Sequence, residues 1–353
     1  MSDFSTSPRS HDLLLIGGGA AALGALCALI RTGEAEDRSI LMLDDAPSRC
    51  GRPGAYARSY DIPVQTLLHC LEGLPAYVTE DAELAEVMQA LGAKRDRAPR
   101  PQVEAFLGRL KRLVLNYLRR EGNLILRASR CDTLRFDDDL WRVDNQPGSE
   151  SRRVVLACGA SEKKTDILAT LLEAGLTPDS LGKIIPSTEA LGSGREALLQ
   201  QLVRRQNGPS LIFAKSQLRA EAVRDQLRDW AGERVASGVE LMTMTDGTKA
   251  SRLDRLNEAG VVITALGETP NFPRVLVEGQ LAKLGGRDCV DIDQALFDRT
   301  GMALPNAQAT GPALAAESED AGEMMADWFQ HVGEAIAYGI QYQRDEDRMI
   351  VAA

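Results

Sequence analysis

The sequence predicts an α/β protein built on a Rossmann-like unit that carries a second, smaller α/β unit inserted within it. Two observations predict this, together with a length that allows one domain with a large insertion. The apolar run over residues 13–30 changes its period at three glycines. Strand and helix patterns alternate afresh between about residues 181 and 267.

A chain of 353 residues that is 44% hydrophobic can bury a sizeable core in two domains, or in one domain with a large insertion. Its 41 Lys and Arg against 51 Asp and Glu give a net charge of -10, which opposes binding to nucleic acid or an anionic membrane surface. The six cysteines are scattered, with neither C-x-x-C nor zinc spacing, so no metal is expected and reduced thiols in a cytoplasmic protein are.

The opening run has three readings: membrane span, secretion signal, or nucleotide-binding turn. Gly17, Gly18, Gly19 and Gly24 interrupt it, no basic cluster flanks it, and no A-x-A site closes it. The remaining reading is a buried strand over 12–16, a glycine turn, and a helix from about residue 20 to 31. Gly17-Gly18-Gly19-Ala20-Ala21-Ala22 matches G-x-G-x-x-A in that context. Gly17 allows the tight turn, Gly19 lets backbone approach a pyrophosphate, and Ala22 lets helix and strand pack closely. The helix N-terminus offers N–H groups and partial positive charge to the phosphates. A second apolar run, 39–43, ends in Asp44, whose carboxylate can accept hydrogen bonds from an adenosine ribose. A glycine-rich turn with no ligand is the plain alternative.

Beyond Asp44 the chain resembles the FAD-binding half of flavoproteins with two dinucleotide-binding domains. Arg49-Cys-Gly-Arg-Pro-Gly-Ala-Tyr56 looks like their Gly/Arg-rich loop past the flavin, which implies that Arg52 pairs with the pyrophosphate; an exposed loop arginine is the alternative. Residues 80–120 read as helical, with a long amphipathic helix from Arg100 to about Arg119. Strands over 123–136, 140–144 and 152–156 then read as a β-meander, with Asp137, Asp138 and Asp139 as a solvated hairpin tip. The class B flavin monooxygenases have an equivalent meander, and the resemblance implies backbone near Cys131 against the adenine. Their A-T-G crossing corresponds to Ala157-Cys158-Gly159 here, with Cys158 either a small packed residue or a reactive thiol.

Residues 181–187 resemble the segment that leads into the NADPH domain of these enzymes. Strands over 210–213, 239–244 and 261–265 alternate with helices over 215–230 and 249–258, which argues a parallel sheet. The family expects another glycine motif after Phe213. This chain has Ala214-Lys215-Ser216-Gln217-Leu218-Arg219 instead. A Cβ obstructs close approach of a pyrophosphate, so the unit is either a structural remnant with weak or absent NAD(P)H binding or one that holds phosphate through Lys215, Ser216 and Arg219.

Residues 301–311 and Pro312 resemble the strand and turn that bring backbone N–H groups to the flavin. Pro312 stands where many relatives carry an acid, implying contact through backbone alone. A last helix over about 322–342 presents apolar residues at helical spacing, for packing or for a dimer. The resemblance implies a glutathione-reductase-type FAD domain over 1–165 and 268–353, with an inserted NAD(P)H-like domain over 166–267.

No catalytic constellation declares itself among the three histidines; His69 is the weak candidate beside the expected flavin, against a satisfied core histidine. The expected function is an FAD-dependent oxidoreductase acting on a small organic metabolite, monooxygenase-like. The alternatives are an oxidase or dehydrogenase not reduced by NAD(P)H, with electrons from substrate or a partner reductase, and a non-catalytic flavin-binding subunit. A dehydrogenase holding NAD at the first motif is a third.

Overall fold

The structure, a computed structural model, describes residues 10–36, 38–48, 50, 62–92, 96–98, 100–161, 171, 175–190, 195–204, 208–266, 269–285, 289–291, 294–311, 326–339 and 341. The chain folds as two compact units, Met1–Gly159 with Pro270–Ala353, and Ala160–Thr269. The expected domain limits at 165/166 and 267/268 lie outside the described residues.

The first unit holds a six-stranded sheet in the order Ala295–Phe297, Ala303–Ala309, Val154–Leu156, Leu13–Ile16, Ile40–Leu43, Leu124–Arg127. All neighbours are parallel except the first pair. Leu13–Ile16 and Ile40–Leu43 are buried at every position, as strands covered on both faces must be, hence their continuous apolar runs. Side chains alternate between faces. Leu13, Leu15, Ile40, Met42 and Val155 share a core with helices Ala20–Arg31 and Arg100–Arg120, whereas Leu14, Ile16, Leu41, Leu43 and Leu156 share one with Leu134, Phe136 and Trp141.

The expected strand over 123–136 is divided. Leu124–Arg127 joins the main sheet beside Ile40–Leu43, and Thr133–Asp137 pairs with Leu140–Val143 in a separate four-stranded sheet completed by Arg274–Val277 and Gln280–Ala282. The reason is in the faces: Leu134, Phe136, Trp141 and Val143 alternate as a one-face-buried hairpin must, and the ring pair Phe136–Trp141 closes at 5.0 Å between centroids. Asp138 and Asp139 form the tip with φ of 53° and 60°. The third expected strand, Val154–Leu156, lies between Leu13–Ile16 and Ala303–Ala309 in the main sheet rather than in a meander.

Helical backbone over residues 326–339 contains a wide π turn at Trp328–Val332. Trp328, Phe329, Val332 and Ile336 are buried against the first core, a packing face. Gly24 permits this: a Cβ there would lie 2.4 Å from Trp328 O. Met325 and Ile340, also expected on that face, lie outside the described residues.

The second unit is a four-stranded parallel sheet in the order Ile184–Pro186, Val261–Ala265, Ser210–Ala214, Val239–Thr243. Helices Gln217–Ala231 and Lys249–Glu258 stand between its strands in sequence, as the alternation predicts. Among the described residues no helix is long and apolar enough to cross a membrane.

Candidate functional site

Because five of the six strands are parallel, their carboxyl ends share one edge of the main sheet. Gly17, Asp44, Gly159 and Gly311 all follow those ends, the place where open α/β sheets bind ligands.

Gly17 turns the chain out of the first strand with φ +103°, and a Cβ there would stand 2.2 Å from Ala157 O. Its N–H donates to Leu43 O at 2.8 Å, so the turn is tied to the neighbouring strand. Gly19 is the N-cap of helix Ala20–Arg31, with no side-chain cap and no acidic residue in the first turn. Such a helix start presents backbone N–H groups without a side-chain acceptor. Ala22 is fully buried in the helix–strand interface.

Asp44 is 5% exposed and is held twice. Its Oδ1 accepts from Ala46 N at 3.0 Å, and its Oδ2 accepts from Lys111 Nζ at 2.7 Å. Lys111, 2% exposed, also donates to Gly18 O at 2.7 Å. A Cβ on Gly18 would fall 1.9 Å from Asp44 Oδ2, so only glycine lets the carboxylate lie over the turn. Sequence reasoning missed Lys111. The signal was there: Lys111 falls four residues after Leu107 and three before Val114, inside the buried stripe of Val103, Leu107, Leu110, Val114 and Leu118.

The other crossings lie beside this turn in the sheet. Gly159 has φ +70° and Gly311 φ +135°; a Cβ on Gly311 would approach Gly159 N at 3.9 Å. Thr310 N donates to Leu156 O at 2.9 Å, and the buried Thr310 Oγ1 has no hydrogen-bond partner among the described residues. Cys158 Sγ donates to Ile16 O at 3.6 Å, and burial pushes its thiol well above the ordinary range, which favours packing over thiolate reactivity. Cys131 is buried with its thiol on Thr133 O, and burial pushes it up to about 12. His69 ends the short helix Val64–His69; its partly exposed ring lies 3.2 Å from Gln65 Nε2 and 3.5 Å from Glu72 Oε1. It is therefore neither a core histidine nor buried at the glycine turn. The Arg49–Tyr56 loop with Arg52, apart from Cys50, and also Pro312 lie outside the described residues.

In the second unit the corresponding helix start carries a side-chain cap. Ser216 is the N-cap of helix Gln217–Ala231, and its Oγ accepts from Arg219 N at 3.4 Å. Lys215 is exposed, its N–H donating to Ala265 O at 3.1 Å, and Arg219 is partly exposed in the first helical turn. After the next strand, Asp246 Oδ2 accepts from Thr243 N at 2.8 Å, a bond that holds its carboxyl below the usual range. This acid is turned onto its own strand end.

No protein-family description and no curated protein sequence matches the chain. Among solved structures, the reduced form of ornithine hydroxylase from Pseudomonas aeruginosa aligns with 95% of this chain and 99% of its own, at a TM-score of 0.52 and 13% identity. The chain has the ornithine-hydroxylase fold. The expected likeness to two-domain oxidoreductases is thus met at the level of fold. S-allyl-L-cysteine S-oxygenase from Allium sativum aligns over 97% of this chain and 83% of its own, with a TM-score of 0.46 and 14% identity. For thioredoxin reductase from Lactococcus lactis the values are 94%, 100%, 0.43 and 12%. Within the ornithine-hydroxylase fold, the carboxyl edge described above is where this chain gathers its glycine turns and its buried acid.

Proposed function

We propose that the chain is an FAD-dependent oxidoreductase acting on a small organic metabolite, with the dinucleotide on the carboxyl edge of the first unit. The observation that carries this reading is the helix start at Gly19, without a side-chain cap, preceded by Gly17 at φ +103° and flanked by Asp44. The residues present fit the group. The turn at Gly17 and Gly18 leaves no room for a Cβ, and the buried Thr310 hydroxyl beside Gly311 lacks a partner among the described residues. Gly17 and Gly19 would hold the pyrophosphate at the helix start, with Ala22 packing that helix onto its strand; Asp44 would hold the adenosine ribose, backbone near Cys131 the adenine, and Gly159, Gly311 and Pro312 the flavin side, with Arg52 as a further phosphate partner. When bound, FAD supplies the two-electron chemistry. The chain's own contribution is binding, orientation and exclusion of water; proton transfer has no assigned residue.

For the finer activity we favour a monooxygenase-like enzyme by the fold it shares with the ornithine hydroxylase. One observation favours a second reading, an oxidase or dehydrogenase that takes electrons from its substrate or a partner reductase. The Ser216 hydroxyl takes one N–H of the second helix start, that of Arg219, and side chains stand at residues 214–216 where close approach of a nicotinamide dinucleotide would call for an open glycine turn. The test is anaerobic titration of the purified yellow protein with NADPH and NADH, following the visible flavin absorbance. Rapid bleaching supports the monooxygenase-like reading with Lys215, Ser216 and Arg219 as phosphate contacts. Persistent colour supports the second reading or a non-catalytic subunit, and failure to retain or take up FAD overturns the flavoprotein reading.

A further inference from the structure

A fully buried lysine in an apolar helix stripe needs a reason, because desolvating an ammonium is costly unless it is paired and hydrogen-bonded. Lys111 reaches from the middle of helix Arg100–Arg120 to the carboxyl edge of the sheet and bonds two different elements there: Gly18 O at 2.7 Å and Asp44 Oδ2 at 2.7 Å. Gly18 completes the arrangement from below, since any Cβ would displace the carboxylate at 1.9 Å. Ala46 N fixes the other oxygen. Each oxygen of an ionised carboxylate carries two acceptor positions. The bonds just described take one on each oxygen and set both oxygens in one orientation over the turn.

We propose that Lys111 is a positioning residue for recognition of a ribose 2′,3′-diol: it clamps Asp44 onto the Gly18 turn so that the carboxylate meets both hydroxyls of an adenosine nucleotide. This rests on the placement of adenosine in the first unit and names a residue on which its selectivity depends. A carboxylate freed of its clamp can rotate or take up other partners, so its bonds to the diol lose their preorganisation. Lys111 thereby acts through Asp44, and its effect falls on the hydroxyls rather than on the phosphates.

The test uses flavin-stripped full-length protein and two probes, ADP and 2′-deoxy-ADP, titrated calorimetrically. The wild type is expected to prefer ADP by roughly tenfold, the size of one hydrogen bond to a charged acceptor. Asp44→Asn and Lys111→Met should each bring the preference close to one, and Lys111→Arg should restore part of it. General destabilisation weakens both probes equally and leaves the ratio untouched. If Lys111→Met does not fold, Gly18→Ala carries the test, because its Cβ would stand 1.9 Å from Asp44 Oδ2 and 2.9 Å from Lys111 Nζ and so breaks the clamp at both partners; its preference should fall likewise. A Lys111→Met or Gly18→Ala protein that keeps the wild-type preference overturns the proposal. Equal binding of both probes by the wild type, or no binding of either, overturns instead the placement of adenosine itself.

Discussion

Lys111 Nζ and Asp44 Oδ2 stand 2.7 Å apart, both side chains nearly devoid of solvent contact, joining the long helix to the end of the second strand. The pair is a structural cross-link as well as part of the candidate site. Removing one partner leaves the other as a buried uncompensated charge, which costs about 3–5 kcal/mol, whereas replacing both with apolar residues is often neutral or better. Lys111→Met is expected to lower stability by that amount in urea unfolding, and the double substitution Asp44→Leu/Lys111→Met to recover most of it. A Lys111→Met loss below the double mutant's own loss would show that the pair does not hold the helix.

Gly17→Ala places a Cβ 2.2 Å from Ala157 O on a backbone with φ +103°. The strain of a non-glycine residue at such a φ is about 1–3 kcal/mol, before the clash is counted. Unfolding midpoints should fall accordingly and, on the proposed function, retained flavin should be lost; Gly33→Ala, at φ +73° with open space around it, should lower stability less and leave flavin retention unchanged.

Ser216→Ala removes the hydroxyl that accepts from Arg219 N. Loss of an N-cap costs about 1 kcal/mol. Hydrogen exchange should quicken in helix Gln217–Ala231 and remain unchanged in the first unit. A general rise in exchange across both units would contradict the local role assigned to this cap.

His11 is buried, with Nδ1 2.7 Å from Ser39 Oγ, and burial holds its imidazole below the ordinary 6.5, aided by Arg127 and opposed by a Gly148 backbone bond, Asp12 and Glu150. The folded chain therefore favours the neutral ring. Below pH 6.5 the unfolded chain takes up the proton first, so this contribution is level above that pH and stability declines as pH falls. Denaturation series between about pH 7.5 and pH 5.5 should show a shallower decline for His11→Gln than for the wild type.

Burial pushes the thiols of Cys27, Cys50 and Cys131 up to about 12 and that of Cys158 higher still. At mildly alkaline pH almost none is thiolate. Alkylation followed by mass spectrometry should label these four slowly in the native protein and fully after unfolding; rapid native labelling of Cys158 would restore the reactive-thiol reading.

Much of the first unit was legible because its signals are local. A change from strand to helix period at Gly17, and a turn that only glycine fits, need no tertiary information to be recognised. The helix Ala20–Arg31 and the strand Leu13–Ile16 follow directly from such patterns. What was not legible depended on partners far along the chain. Leu124–Arg127 and Thr133–Asp137 read as one strand because both are β-rich, and only their different sheets separate them. Lys111 lies 67 residues from Asp44, so its charge within an apolar stripe signalled an oddity without naming its partner. The Ser216 cap was visible as missing glycines, but its filling of the helix start required the geometry.

The order of strands in the main sheet has a consequence for synthesis of the chain. Val154–Leu156 receives its outer neighbour, Ala303–Ala309, only after the whole second unit has been made. At ribosomal speeds of about 5–20 residues per second, that edge waits on the order of 10–30 s with its backbone groups unsatisfied. During this interval the second unit, continuous in sequence, can complete its own sheet on the nascent chain. The first-made portion of the protein is thus the last to be sealed, and it is the portion a chaperone would need to shield.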